Sequence, residues 1–403
     1  MKITYIGKCR TGQTCQMRCE VMKKLLPQAQ FTVIDTVTPE ENSPRLARSL
    51  GYRWKCGPFI RRVNRAVIGG LPSEKQDLIW VDKAVFLTPE TTAVLRGRCE
   101  KLVHFTPDPA FSYHRSRWFF QAIRSYDYLV MTKRYEFPDY LAAVNGDRRK
   151  ILYATQGYQR DLHFPRCDFS AKSGVVVIGH CEPDRARMVR SLLQNGIKVT
   201  LAGINWENFA GKNISDHLHY LGRGVFAEKY AETLSSGLFA WGTLSRIVPE
   251  KHTTRTFEIP ACGTALLTEK NEETASFFKD DEVIFYSGID DMIGNIRYYE
   301  THREELRALT EKGTLAVQKG GFDYESIMKD MFMYDLNTDP DIEEPMLIKN
   351  IAKTKTVKSV EATGSDVLVG IFEDSNKNEG FMLTAFSNYS TEAPYDYPNN
   401  AKV

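Results

Sequence analysis

No stretch of the sequence approaches the roughly 18 uninterrupted apolar residues that a membrane-crossing helix needs. The opening residues reach Lys8 and Arg10 before a secretory core can develop, and a cytoplasmic location is expected. Paired CxxC spacing is missing as well. The eight cysteines, at positions 9, 15, 19, 56, 99, 167, 181 and 262, have no histidine cluster beside them, which reads as reduced thiols and no metal site. Even Cys9, Cys15 and Cys19, close in sequence, fit a loop and a helix face better than a ligand set. The glycine loop from Gly7 to Thr14 has Gln13 where a phosphate-gripping P-loop needs lysine, which argues against that class of triphosphatase. It still reads as a tight turn opening a helix, whose N-terminus can hold a ligand oxygen.

Net charge is nearly absent too, at +2, but that balance conceals a split. Residues 1–165 hold 27 Lys and Arg against 15 Asp and Glu, while the remainder holds 26 against 36, so the halves suit different partners. Much of the basic excess lies in Arg45, Arg48, Arg53, Lys55, Arg61, Arg62 and Arg65, interleaved with Leu46, Leu50, Trp54, Phe59, Ile60 and Val63. That segment reads equally as a solvated helix face over a core and as an anion-binding surface.

A chain of 403 residues with 42% hydrophobic content can bury two ordinary cores. The first forty residues read strand, loop, helix, strand: Ile3 to Gly7, a helix to about Leu26, then Phe31 to Asp35. Short apolar runs follow at Leu78–Val81, Leu102–Phe105 and Tyr128–Met131, separated as a parallel sheet with crossover helices demands. After a linker at Thr155–Gly174 a second series starts at Val175–Gly179. It continues through a helix at Arg185–Gln194, Val199–Ala202, a helix at Ala227–Ser235, Leu238–Trp241, a helix from Arg255, Ala265–Thr268 and Val283–Tyr286. One long charged helix is expected from Asp290 to about Gly313. The fold class is therefore α/β, with two doubly wound Rossmann-like domains at 1–165 and 166–335. Residues 336–403 form a small β appendage, with a hairpin pairing Val367–Phe372 with Phe381–Phe386.

The most informative segment runs from Pro249 to Glu269. Glu250 and Glu258 flank seven residues, and a helix opening near Glu258 and ending at Gly263 directs its positive N-terminal end into the crevice beyond the sheet's carboxyl edge. A carboxylate there can accept both hydroxyls of a ribose, and Arg255 or His252 beside it can neutralise a pyrophosphate without a metal. Gly179 and His180, at a strand end, allow close backbone approach, and Arg223 follows a Leu-Gly turn as another cation for a departing diphosphate. In the first half Asp108 follows Thr106-Pro107 at a strand end and is the candidate general base, with His104 and His114 as alternatives.

Read in order, Asp77-Leu-Ile-Trp-Val-Asp-Lys83, His104-Phe-Thr-Pro-Asp108, Gly179-His-Cys-Glu-Pro-Asp-Arg185, Leu221-Gly-Arg223, Arg255-Thr-Phe-Glu-Ile-Pro-Ala-Cys-Gly263 and Ile296-Arg-Tyr-Tyr299 resemble the CgeB-like spore maturation glycosyltransferases over about residues 1–330. The resemblance implies the GT-B architecture, with acceptor bound by the first domain and a nucleotide-diphosphate sugar by the second. It implies no separate cofactor, a ribose contact from Glu258, and a sugar contact from Glu250 as in the E-x7-E signature of retaining enzymes, so that retention is favoured. Catalytic roles are thus expected for Asp108, Glu250 and Arg255, and donor binding for Glu258, Arg223, Gly179, His180, His252 and Gly263. The acceptor expected from the basic half is anionic, DNA or a cell-surface polymer. Two other readings stay open: a nucleic-acid-binding protein using the basic half, and a nucleotide-sugar epimerase or binding module.

Overall fold

The computed structural model describes residues 1–336 apart from 84 and 113, and then 355–363, 367–374 and 379–385. The first half runs β1 (Lys2–Gly7), α1 (Thr14–Leu25), β2 (Gln30–Asp35), α2 (Val37–Glu41), α3 (Arg45–Trp54), α4 (Pro58–Gly70) and β3 (Gln76–Asp82). It continues with α5 (Pro89–Gly97), β4 (Cys99–Thr106), α6 (Arg117–Ala122), β5 (Tyr128–Met131), α7 (Phe137–Ala143) and β6 (Ile151–Tyr153). The six strands form one parallel sheet in the order β2-β1-β3-β4-β5-β6.

The second half repeats the plan with β7 (Val175–Ile178), α8 (Pro183–Gln194), β8 (Val199–Ala202), α9 (Glu207–Lys212), β9 (Leu218–Tyr220) and α10 (Ala227–Ser236). Then come β10 (Phe239–Trp241), α11 (Arg255–Ala261), β11 (Ala265–Glu269), α12 (Thr274–Phe277) and β12 (Ile284–Tyr286), and the helices α13 (Ile289–Thr301), α14 (Arg303–Lys319) and α15 (Tyr324–Leu336). Its parallel sheet has the order β12-β11-β10-β7-β8-β9, so the strand order reverses between β7 and β10. A crevice at the carboxyl ends of such a switch point is where doubly wound sheets bind ligands. All four residues of β7 are buried, the continuous Val-Val-Val-Ile run expected of a strand covered on both faces.

One feature departs from the sequence reading and two go beyond it. The long helix expected from Asp290 breaks at His302, and the turn lets Leu306 and Leu309 of α14 enter the core. In the segment read as a linker, Tyr158 and His163 are buried, and the Tyr158 carbonyl accepts a hydrogen bond from the Tyr324 backbone N–H at 2.9 Å. Helix α15 returns to pack on α1, its Tyr324 ring lying 5.6 Å from the Arg18 guanidinium.

Beneath the first crevice wall, Asp82 accepts bonds from Arg18 at 2.7 and 2.9 Å and from Tyr5 at 2.6 Å, all fully enclosed. The pair ties α1 to the end of β3, and the carboxylate stays ionised because the Arg18 guanidinium outweighs the cost of burial.

The chain divides into two compact units, Met1–Thr338 and Asp339–Val403. In the second, β13 (Lys355–Thr363), β14 (Val367–Asp374) and β15 (Glu379–Ala385) form an antiparallel meander in which β14 and β15 pair as the expected hairpin. Phe386 and the intervening 375–378 lie outside the described residues.

Candidate active site

The carboxyl edges of the two large sheets meet across a joint. Lys133, just past β5, is enclosed and places Nζ 3.0 Å from Glu250 Oε1 and 3.2 Å from the His252 carbonyl. The Gln156 backbone N–H donates to His252 Nε2 at 3.1 Å, and His252 Nδ1 bonds the Glu273 carboxylate. Both ring nitrogens of His252 are therefore engaged inside the protein, and burial lowers its pKa. This corrects the sequence reading: His252 is a joint between the halves and has no nitrogen left for a pyrophosphate.

On the wall of the second half, Gly179 ends β7 with φ +158°. A Cβ built there would lie 3.7 Å from Arg185 Nη1 and 3.7 Å from Thr243 Oγ1, so both groups border the same small volume. Arg255, the first residue of α11, donates to the Thr243 carbonyl at 3.4 Å. Arg185 is itself held by the His180 carbonyl and Glu182, both at 3.1 Å. Three polar atoms of this cluster, Arg185 Nε, Arg255 Nε and Thr243 Oγ1, are buried without a hydrogen-bond partner. Such groups are costly unless a ligand satisfies them. Close packing of backbone shapes the floor, because a Cβ on Gly203 would stand 1.8 Å from the Gly179 carbonyl oxygen.

Glu258 lies one turn into α11. Its Oε2 accepts from the Tyr230 hydroxyl at 2.6 Å and its Oε1 stands 3.8 Å from His163 Nε2, with 4% of the residue exposed. A ribose reaches this carboxylate only if Tyr230 yields. Helix α11 has seven residues with Pro260 inside, so its terminal charge is weaker than the sequence reading required. Gly263 serves the turn after that helix, with φ +68° and its Cβ position packed on Pro165, not a ligand. Arg223 is exposed and pairs with Glu207 at 2.9 Å on the surface. His180 contributes its carbonyl to Arg185, while its ring faces solvent.

The opposite wall carries Asp108. Glu136 holds its loop by accepting the backbone N–H groups of Ala110 and Phe111 at 2.8 and 2.9 Å. Asp108 Oδ2 is 2.8 Å from Lys83 Nζ and 3.8 Å from His114 Nε2. Burial pushes its pKa up, but Lys83 and His114 prevail and hold it at about 2. A carboxyl that acidic is a poor proton acceptor at neutral pH. His114, the alternative, is half-exposed beside Asp108; burial lowers its pKa below the ordinary histidine value, against the pull of the Asp108 charge. His104 is excluded, being buried against Phe119 at 4.4 Å with its pKa lowered to about 4 by desolvation.

A cavity of about 620 Å³ opens on the β10–β12 side and includes Arg185, Trp241, Arg246 and Tyr286 but not Arg255 or Glu258. The converging unpartnered groups are the stronger pointer to the reacting centre, because volume alone carries no chemistry. Sequence reading missed Arg185, Thr243 and Lys133 as site residues. For Arg185 the available signal was its place in the first turn of α8, three residues after Glu182.

Residues 185–332 match the model of a family described as glycosyl transferase-like. No curated protein matches the chain in sequence. Among solved structures, sucrose-phosphate synthase from Thermosynechococcus elongatus is similar at TM-score 0.59 and 14% identity, covering 83% of this chain and 98% of that one. HepE from Anabaena, solved in complex with UDP and glucose, is similar at TM-score 0.55 and 13% identity over 83% and 98%. A glycosyltransferase from Rickettsia africae gives 0.56 and 10% over 83% and 97%. The fold is that of the two-domain GT-B transferases, and the matched segment supports a transferase acting on sugars.

Proposed function

We propose that the protein transfers a sugar from a nucleotide diphosphate held at Gly179, Arg185, Thr243 and Arg255 to an acceptor hydroxyl presented beside His114 and Asp108. The observation that carries the reading is the convergence of two guanidinium groups and a threonine hydroxyl, each with a buried unpartnered atom, on one glycine-lined point of the switch crevice. Two arginines fixed there can stabilise the charge that builds on a departing diphosphate, as a metal does in other transferases. Glu258 is the ribose carboxylate once Tyr230 has turned aside. In this reading the finer kinship is with the CgeB-like enzymes.

The acceptor is anionic: Lys83 stands at Asp108, and Lys55 and Lys8 lie near enough to His114 to act on its charge. Two mechanisms divide on Glu250 and His114. If His114 removes the acceptor proton, the sugar inverts; if Glu250 meets the sugar while the leaving phosphate takes the proton, configuration is kept. The lowered pKa of His114, 3.8 Å from Asp108, supports the first, and the E-x7-E spacing supports the second.

UDP and UDP-sugars are the first donors to test, since HepE was solved with them. Calorimetry with a chelator present should show binding that falls about tenfold to a hundredfold in Arg185→Ala and Arg255→Ala, the value of one or two charged hydrogen bonds. Nucleotide affinity in both variants equal to the parent's would remove the site. Donor turnover to a 2-epimer without acceptor would replace transfer by epimerisation.

A further inference from the structure

The helical hairpin of α3 and α4 takes no part in the chemistry above, and its outer face inverts the usual pattern. Of the ten residues of α3 only Gly51 is buried, packed against the Phe59 ring. The hairpin's core comes mainly from α4, through Phe59, Ile60 and Val63 with Phe86, and α3 adds Ala47 and the Tyr52 ring to it. A surface helix normally turns its apolar stripe inward. Helix α3 also presents apolar residues outward: Leu46, Leu50 and Trp54 recur every four residues and so share a face, Leu46 73% and Trp54 55% exposed with Leu50 half-buried between them. Arg53 stands on that same face, its guanidinium 5.6 Å from the Trp54 ring. Arg45 beside it and Arg61, Arg62 and Arg65 on α4 are exposed too, and no acidic residue occurs between Ser43 and Ser73.

We propose that this face docks on an anionic lipid bilayer. An apolar stripe with an aromatic at one end, bordered by arginines, matches the acyl boundary and the phosphate layer of such a surface together. A nucleic acid satisfies the arginines but gives Leu46 and Leu50 nothing to bury against. A second copy of the chain would set two basic faces together. Tyr52 of α3 accepts from Lys8, at the end of β1, at 3.2 Å, so the docked hairpin borders the wall that carries Asp108. Docking would bring the acceptor side of the crevice to the membrane.

The test is sedimentation of the full chain with phosphatidylcholine vesicles, with and without phosphatidylglycerol, and it needs no donor or activity. The expected result is binding to the anionic vesicles alone, weakened by salt, and abolished in Leu46→Glu/Trp54→Glu. Arg45→Ser/Arg53→Ser should weaken it about fivefold per arginine. Both pairs are solvent-exposed, so both variants should melt with the parent protein. Absence of binding at low ionic strength, or equal binding by the Leu46→Glu/Trp54→Glu variant, overturns the proposal. So does a variant that loses only binding to an oligonucleotide or only self-association while vesicles are ignored throughout.

Discussion

Replacing Lys133 by methionine should loosen the joint between the two halves. The ammonium side chain is 2% exposed, its partner carboxylate on Glu250 17%, and the pair is completed by the His252 carbonyl. Methionine fills much the same space but leaves Glu250 charged with no counter-ion, and breaking a buried pair in this way costs about 3–5 kcal/mol. At roughly 2 °C per kcal/mol for a unit of this size, the melting temperature should fall by about 6–10 °C. Glu250→Gln is milder, about 1–2 kcal/mol, because its amide oxygen can still accept from Lys133. In the double variant no charge is left unpaired, so its loss should fall short of the sum of the two single losses by about 2 kcal/mol. The cycle is read by thermal and urea unfolding, with turnover measured on the same proteins. If Glu250 also meets the transferred sugar, Glu250→Gln loses activity that the double variant does not restore even as stability returns. A Lys133→Met protein that melts with its parent would refute the joint.

Gly203→Ala should cost about 2–4 kcal/mol in urea unfolding, because the new Cβ stands 1.8 Å from the Gly179 carbonyl oxygen at φ +147°. It should weaken nucleotide binding as well, and unchanged binding would separate Gly179 from the site. His114→Asn should slow transfer about a hundredfold or more while leaving donor affinity intact, measured by turnover and calorimetry. Its effect should be greatest above the histidine's lowered pKa, where the parent ring is free to take a proton. His104 gives a stability signal of known sign. Its pKa is about 4 when folded, against an ordinary value of 6.5, so the unfolded chain takes the proton first. The stability this neutral ring contributes is present above pH about 6.5 and is lost as pH falls towards 4. His104→Phe should flatten unfolding free energy against pH in that window, and an unchanged slope there would place the titration elsewhere.

What could be read from the sequence follows from the range of the interaction that carries each feature. Val175–Ile178 and Leu78–Val81 were legible because a parallel strand covered on both faces must be apolar throughout, a property of four consecutive residues. Strand β9 was missed because none of its three residues is buried, so it carries no apolar run, whereas the equally short β10 is buried throughout. The break at His302 was hidden because both flanking segments are good helix formers, and only packing of Leu306 and Leu309 selects the turn. At the site, the segment Glu250–Gly263 was found, yet its members were sorted by tertiary pairs that no local pattern encodes. Lys133 and Glu250 are 117 positions apart, and Gln156 and His252 are 96 apart. Arg223 and Arg185 show the limit well, since each follows the end of a strand by a few residues. Arg185 lies in the first turn of α8, where Glu182 and the His180 carbonyl fold it back beneath Gly179 with Nε buried. Arg223 follows Gly222 into an exposed loop and finds Glu207 there. The same residue type thus becomes a buried group with an unpartnered Nε in one case and a surface pair in the other. The difference lies in the tertiary surroundings: Arg185 borders Gly179, whose carbonyl packs too tightly on Gly203 to admit a Cβ there, whereas Arg223 runs to the surface.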